Sequence, residues 1–217
     1  MIKAIGLTGG IATGKSTVSA ILSDRAAIVD ADRFAREIVE PGKEAWREIV
    51  ELFGREALRE DETLDRAYLR QIVFQDPAIR KRLEAITHPR IRALARERIV
   101  ELSRNDEFVI YDAPLLFEAK IHHWLRPVIL VACARTVQEQ RLRQRDGLDD
   151  DAIERHLKAQ MPLADKRRLS DFVVENDGTL ADLENAVATV WEDVVATSPA
   201  RYIFLLKDPP ESGHRSG

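Results

Sequence analysis

Cysteine is almost missing from the 217 residues. Cys133 stands alone, so no intramolecular disulfide and no cysteine-ligated metal cluster can form. Although 45% of the residues are hydrophobic, no apolar run approaches the length that crosses a bilayer. Met1 leads almost at once into an apolar strand, so a signal or transit segment is not expected. Positive charge is not in excess either: 33 Lys and Arg against 37 Asp and Glu give a formal net charge of −4. That balance argues against nucleic acid as a partner, because phosphate-backbone binders present a basic domain. Internal repeats are lacking as well. These absences lead to the expectation of a cytoplasmic protein without membrane or nucleic-acid partners; a monomer is expected over an oligomer, although nothing in the sequence fixes the oligomeric state. Its length suits one core with small appended subdomains.

What is present concentrates in Thr8-Gly9-Gly10-Ile11-Ala12-Thr13-Gly14-Lys15-Ser16-Thr17. Gly9, Gly14, Lys15 and Ser16 occupy the defining positions of the phosphate-binding loop G-x-x-x-x-G-K-[ST]. Ile2 to Leu7 before it has the length and character of a strand. Val18, Ile21 and Leu22 after it recur at helical spacing. A glycine loop between strand and helix predicts a nucleoside triphosphate site, with residues 9–17 around the phosphates.

Ala26 to Val29 predicts a second strand ending in Asp30-Ala31-Asp32. On an extended chain the two aspartates share a face. Alternatively, one of them caps the helix expected over Arg33 to Val39. From Lys43 to Arg104 the pattern is helical. Gly54 closes one helix, Asp65 and Asp76 are N-caps of the next two, and His88-Pro89 is expected to break the last. Arg90, Arg92, Arg96 and Arg98 alternate with glutamates, the pattern of a solvated helix face. Phe108 to Asp112 reads as a third strand ending in an acid, where Asp112 is a candidate for magnesium. Pro114-Leu115-Leu116-Phe117-Glu118 follows at the edge where a substrate would lie. Pro127 to Ala134 reads as a fourth strand, with Cys133 as a small core residue. Arg141, Arg143, Arg145, Arg155, Lys158, Lys166, Arg167 and Arg168 then make a basic stretch. It suits either a solvated helical hairpin or a lid closing over triphosphate. Phe172 to Asn176 is the fifth strand, and Leu180 to Val195 the final helix.

A guanine-specifying N-K-x-D and an L-S-G-G-Q are both missing, which excludes GTPases and transporter-type ATPases. An aspartate pair, a long helical insertion and an arginine-rich segment fit a small-molecule kinase. Other kinases share that plan, and a domain that binds nucleotide without turnover would share the loop. The chain further resembles the dephospho-CoA kinase family. The resemblance runs through Gly6-Leu7-Thr8-Gly9-Gly10-Ile11 with Gly14-Lys15-Ser16, Asp30-Ala31-Asp32 with Pro41-Gly42, and Leu64-Asp65-Arg66 with Leu69 and Val73-Phe74. It continues through His88-Pro89-Arg90-Ile91, Pro114 to Glu118, Gln140-Arg141-Leu142 with Arg145-Asp146, Gln160-Met161-Pro162 with Lys166, and Asn176-Asp177-Gly178. In order, these cover residues 2 to 195. The departures are Ala12-Thr13 for a frequent Gly-Ser, Glu62 for a turn glycine, and Ser170 for alanine.

The resemblance implies an α/β P-loop kinase fold: a five-stranded parallel sheet flanked by helices, with a helical substrate-binding insertion and a lid. The nucleotide-binding core is expected over 1–33, 106–140 and 170–197, the acceptor subdomain over 34–105 and the lid over 141–169. The tail over 198–217 is expected to be disordered or loosely attached. The implied reaction is transfer of the ATP γ-phosphate to the 3′-hydroxyl of dephospho-CoA, the last step of coenzyme A synthesis. In it Lys15, Asp32 and Arg141 are catalytic. Arg141, Arg145 and Asn176 join Gly9, Gly10, Ile11, Ala12, Thr13, Gly14, Lys15, Ser16 and Thr17 at ATP. Asp32, His88, Pro114, Leu115, Leu116 and Phe117 take the acceptor, and Ser16, Asp30 and Asp112 hold Mg²⁺.

Overall fold

From Ala4 onward the first strand, β1 (Lys3–Gly9), has Thr8 as its only polar residue, and all of it is buried apart from Lys3. A strand covered on both faces belongs in the middle of a sheet. The computed structural model, which describes residues 1–207, places it there. The other strands are β2 (Ala27–Asp30), β3 (Phe108–Asp112), β4 (Leu125–Arg126), β5 (Val128–Ala132), β6 (Phe172–Glu175) and β7 (Ile203–Phe204). Five of them form one sheet in the order β2-β3-β1-β5-β6. β1 runs parallel to β3 and β5, and β5 parallel to β6, the α/β arrangement expected. The register sets Leu7 opposite Asp112 and Gly9 opposite Val131. The carboxyl ends of the strands therefore bring the glycine loop and Asp112 to one edge, where open α/β sheets bind ligands.

The helices are α1 (Lys15–Leu22), α2 (Ala31–Glu37), α3 (Glu44–Phe53), α4 (Arg66–Gln75), α5 (Pro77–Leu102), α6 (Arg135–Asp146), α7 (Asp150–Lys158), α8 (Leu163–Leu169) and α9 (Leu180–Val195). The described chain divides into two compact units: Met1–Val29 with the chain from Ile99 onward, and Asp30–Arg98. In the first, Ile5, Leu7, Ile110, Ile129, Val131 and Val174 of the sheet pack with Val18 and Leu22 of α1. Leu183, Val187, Trp191 and Val194 of α9 complete this core. Those four recur at helical spacing, and Phe108 meets Trp191 edge to face at 5.2 Å. Cys133 is buried, as expected of a small core residue. The second unit has its own core of Ile38, Val39, Ala45, Ile49, Ala57, Leu64 and Leu69. Asp65 caps α4 by accepting from the N–H groups of Ala67 and Tyr68, and Asp76 does the same for Ala78 and Ile79.

Several expectations are corrected. His88-Pro89 does not break a helix: α5 runs 26 residues with Pro89 inside it. The N–H that proline lacks would have bonded the carbonyl of Ala85, an exposed residue, so water can satisfy that oxygen. The arginine face of α5 is not uniformly solvated. Arg96 is buried, and Arg90 is pinned by Glu48 at 2.7 Å and Glu44 at 3.2 Å. The tail is not loose over its first part. Tyr202 is buried and donates its hydroxyl to the Val194 carbonyl at 2.7 Å, and β7 pairs antiparallel with β4. Residues 208–217 of that expected tail lie outside the described residues. No helix among the described residues is long and apolar enough to cross a membrane.

Candidate active site

The loop between β1 and α1 is built as a cradle. Gly14 ends it with φ 88°, in the left-handed region, and a side chain there would place its Cβ 2.2 Å from Asn176 Nδ2. Only glycine satisfies both constraints. The N–H groups of Gly14, Lys15 and Ser16 have no hydrogen-bond acceptor among the described residues. Free N–H groups at the head of a helix are the arrangement that binds phosphate. Lys15 reaches back across the sheet edge, its Nζ 2.5 Å from Asp112 Oδ1. Asp112 is buried at the end of β3, so the pair is largely shielded from water.

Not every loop residue faces a ligand. The Ile11 N–H is taken by Gln160 Oε1 at 2.9 Å, and its carbonyl accepts from Gln138 Nε2 at 2.7 Å. The Thr13 hydroxyl and N–H both turn onto the Gly10 carbonyl, and Thr13 is fully buried. Ile11 and Thr13 are therefore framework, because their hydrogen-bonding groups are already committed. Asn176 is also a strut: its Nδ2 donates to the Thr13 carbonyl at 2.8 Å. Arg141 leaves α6 to donate to the Ala12 carbonyl at 3.3 Å and the Asn176 carbonyl at 3.0 Å, holding a cation at the loop. Arg145, four residues on, folds onto its neighbour Asp146 instead and makes no hydrogen bond to the loop among the described residues.

Lys166, which the sequence placed in the basic stretch and in a family-matching segment without a role at the site, turns out to hold the loop floor. Its side chain is fully buried, with Nζ 2.9 Å from Glu118 Oε1, 3.0 Å from the Pro114 carbonyl and 3.5 Å from the Gly9 carbonyl. Burial lowers its pKa, and the Glu118 carboxylate opposes that shift. Glu118 Oε1 also accepts the Met161 N–H at 2.9 Å. One buried cation thus ties the loop, the turn after β3 and the segment before α8 together. Its spacing from Leu163 and Leu169 put it on their face of the helix, which was the available signal.

The expected acceptor contacts divide. Leu116 and Phe117 are buried in the core: the Leu116 Cδ1 fills the space a side chain on Gly6 would need, and Phe117 packs its ring against His122 at 5.1 Å. They are corrected from substrate contacts to packing. Leu115 is exposed, and Pro114 offers its carbonyl to Thr8 and Lys166.

In the second unit, Asp30 is the N-cap of α2, its Oδ1 accepting from the Asp32 N–H at 2.8 Å. Asp32 consequently lies in the first turn of a helix. The alternation argument that put both aspartates on one strand face does not apply. The Asp32 side chain is exposed. His88 is half-buried, and burial holds its imidazole below the usual value, so it is neutral at pH 7.

No group of three or more His, Cys, Asp or Glu among the described residues could hold a metal ion by itself. The hydroxyl of Ser16 and the carboxylate of Asp112 are hard oxygen donors. They fit a magnesium ion that arrives with phosphate and keeps most of its ligands from phosphate and water.

Residues 3–182 match the family described as dephospho-CoA kinase. A protein of that name from Anaeromyxobacter dehalogenans is 49% identical over 179 residues, 82% of this chain and 85% of that one. Another, from Geobacter metallireducens, is 45% identical over 197 residues, 90% of this chain and 98% of that one. Among solved structures, a Thermus thermophilus protein is similar at 37% identity with a TM-score of 0.76, covering 90% of this chain and 98% of its own. Dephospho-CoA kinase from Campylobacter jejuni is similar at 30% identity with a TM-score of 0.67, covering 88% and 96%. A shikimate kinase from Acinetobacter baumannii, 16% identical with a TM-score of 0.50, shares the fold.

Proposed function

The chain belongs to the dephospho-CoA kinase family, and on that premise we propose how its residues move the ATP γ-phosphate to the 3′-hydroxyl of dephospho-CoA. The observation that carries the donor half is the cradle: three free N–H groups at the head of α1, with Lys15 and Arg141 beside them. The N–H groups of Gly14, Lys15 and Ser16 hold the phosphates. Lys15 exchanges Asp112 for the β- and γ-phosphates and follows the charge as it moves. Ser16 and Asp112 would hold magnesium, which supplies charge neutralisation on the triphosphate. Asp30 has its second carboxylate oxygen left for that ion's water shell.

In the acceptor half, Asp32 orients the ribose 3′-hydroxyl and takes its proton. The hydroxyl oxygen forms its bond to the γ-phosphorus while the bond to the β,γ-bridging oxygen breaks, and ADP leaves. An exposed carboxylate suffices because proton loss comes late in phosphoryl transfer, so positioning outweighs basicity. Arg141 neutralises charge developing on the transferred group. Arg145 would have to leave Asp146 to assist. Leu115 and Pro114 offer the surface at the sheet edge for the acceptor, and His88 contributes as a neutral ring.

The test is Asp32→Asn. It should lower kcat by about 100-fold or more, the scale of general-base contributions, with ATP affinity kept. Near-normal turnover by that variant would remove Asp32 from the reaction.

A further inference from the structure

Two consecutive peptide groups at the crest of the phosphate loop are held by glutamine side chains that the chemistry above does not use. The first peptide joins Gly10 to Ile11. Its carbonyl accepts from the Thr13 N–H and hydroxyl, and its N–H donates to Gln160 Oε1 at 2.9 Å. The second joins Ile11 to Ala12, and its carbonyl accepts from Gln138 Nε2 at 2.7 Å. In a planar trans peptide the N–H points opposite to the carbonyl, so Gln138 turns the Ala12 N–H away from itself. Among the described residues that N–H has no acceptor.

The two glutamines are themselves fixed. Gln138 is buried on the first turn of α6, so close to Gly10 that a side chain there would place its Cβ 2.9 Å from Gln138 Nε2. Gln160 follows α7 and closes a ring of bonds around Gly10. Lys166 reaches the Gly9 carbonyl, Glu118 accepts from Lys166 and from the Met161 N–H, and Gln160 returns to Ile11. The crest needs holding, because Ala12 sits at φ 59°, where an L-residue is strained and relaxes once released. Ile11 is only half-buried, so water could satisfy its peptide. Satisfaction alone therefore gives no reason for two side chains to arrive from 127 and 149 residues away.

We propose that Gln138 and Gln160 are positioning residues for phosphoryl transfer, aiming the Ala12 N–H at the transferred phosphate as a donor additional to those of Gly14, Lys15 and Ser16. Arg141, which neutralises charge on that group, donates to the Ala12 carbonyl, so both act at the same end of the triphosphate. The inference rests on the ATP-dependent transfer proposed above. A donor fixed before the charge develops gains most in the transition state, so its aim governs kcat more than nucleotide binding. The two glutamines work in opposite senses: Gln160 accepts and Gln138 donates. Glutamate has the same shape and only accepts, so it can replace the first and not the second.

The experiment compares Gln160→Leu, Gln160→Glu, Gln138→Met and Gln138→Glu in the full chain for kcat, KM for ATP and ADP affinity. Removing one preorganised donor costs about 100- to 1,000-fold in kcat, and a misaimed donor keeps part of that. Gln160→Leu and Gln138→Met should therefore lower kcat by about ten-fold or more, with KM for ATP and ADP affinity within about two-fold. Gln160→Glu should recover most of the leucine variant's loss, and Gln138→Glu should fall at least as far as Gln138→Met. A packing role would treat the two glutamates alike. Gln160 is partly exposed, so its variants should fold, and an unchanged kcat in Gln160→Leu would overturn the proposal. Gln160→Glu falling as far as Gln160→Leu would overturn it too, as would ADP affinity lost in step with kcat. In the amide NMR spectrum, the Ala12 signal should move when Mg²⁺ and a non-hydrolysable ATP analogue bind, and move less in Gln160→Leu. That readout is independent of the acceptor: an Ala12 amide that ignores the analogue overturns the proposal. A wild type that shows the shift but forms no coenzyme A would instead overturn the reaction on which the proposal rests.

Discussion

Replacing Lys166 by Met tests how the loop floor is held. The methionine keeps most of the apolar stem but deletes the ammonium, which bonds Glu118, the Pro114 carbonyl and the Gly9 carbonyl. Pro114 retains the Thr8 hydroxyl at 3.1 Å, and Glu118 retains the Met161 N–H. Among the described residues the Gly9 carbonyl keeps no side-chain partner. Breaking a fully buried pair costs about 3–5 kcal/mol, because a charge is left behind. One fact reduces that figure here: the lysine was itself desolvated, so its removal also relieves a cost. Among the described residues Glu118 Oε2 is already buried without a hydrogen-bond partner, so the orphaned carboxylate gains nothing from that side. The expected loss is therefore about 3 kcal/mol, or roughly 6–12 °C in Tm for a chain of this size. Urea denaturation of wild type, Lys166→Met, Glu118→Gln and the double variant forms a closed cycle. The double variant should recover part of the loss, giving a coupling of about 1 kcal/mol or more. ATP affinity should also fall, because Gly9 opens the phosphate loop. A Lys166→Met protein within about 0.5 kcal/mol of wild type, with zero coupling, would refute the reasoning.

Gly14→Ala should weaken ATP binding by at least about ten-fold, since its φ of 88° and a Cβ 2.2 Å from Asn176 force the loop to move; wild-type affinity by calorimetry would contradict this. Glu62 holds φ 61° in the 58–64 hairpin, where L-residues lose roughly 1–2 kcal/mol and glycine returns about 0.5–1 through entropy. Glu62→Gly should thus raise Tm by about 1–3 °C, keeping the bond from Trp46 Nε1 to the residue 62 carbonyl, and a lower Tm would count against it. Burial holds the His122 imidazole at about 4, with His123 and Arg126 adding to the effect. Between the unfolded value near 6.5 and about 4 the unfolded chain binds the proton and the folded chain does not, so stability falls as pH falls, by up to about 3 kcal/mol. Chemical denaturation of His122→Phe should show a flatter pH dependence across that window; an unchanged slope would shift the cause elsewhere.

The loop, Asp112 and α9 were legible in the sequence because local spacing alone specifies them. The phosphate-loop pattern dictates which residues head α1. The Thr179 cap and the spacing of Leu183, Val187 and Trp191 delimit α9. Features decided by tertiary context were not legible. Leu116 and Phe117 follow Asp112 closely enough to suggest substrate contact, but the core claims them, and residue type does not separate those uses. Lys166 is chemically like Arg167 and Arg168 beside it; only its position on the inward face of α8 distinguishes it. Pro89 reads as a breaker, yet the one bond it removes lies on a solvent-facing side of α5. Tyr202 to Phe204 is too short a pattern to announce a strand until β4 is there to pair with it. Two departures from the family pattern, Ala12 and Glu62, both fall at positive φ, where the frequent glycine had been the conformational answer.

The central claim is that this chain joins a triphosphate donor to a dephospho-CoA acceptor. Incubating it with ATP, Mg²⁺ and dephospho-CoA and quantifying coenzyme A and ADP together tests that claim most directly. Equal amounts of both products, with none from ATP and Mg²⁺ alone or with shikimate or a nucleoside monophosphate as acceptor, is the predicted result. Bound ATP with no coenzyme A formed, or ADP released with another acceptor in preference, would contradict it.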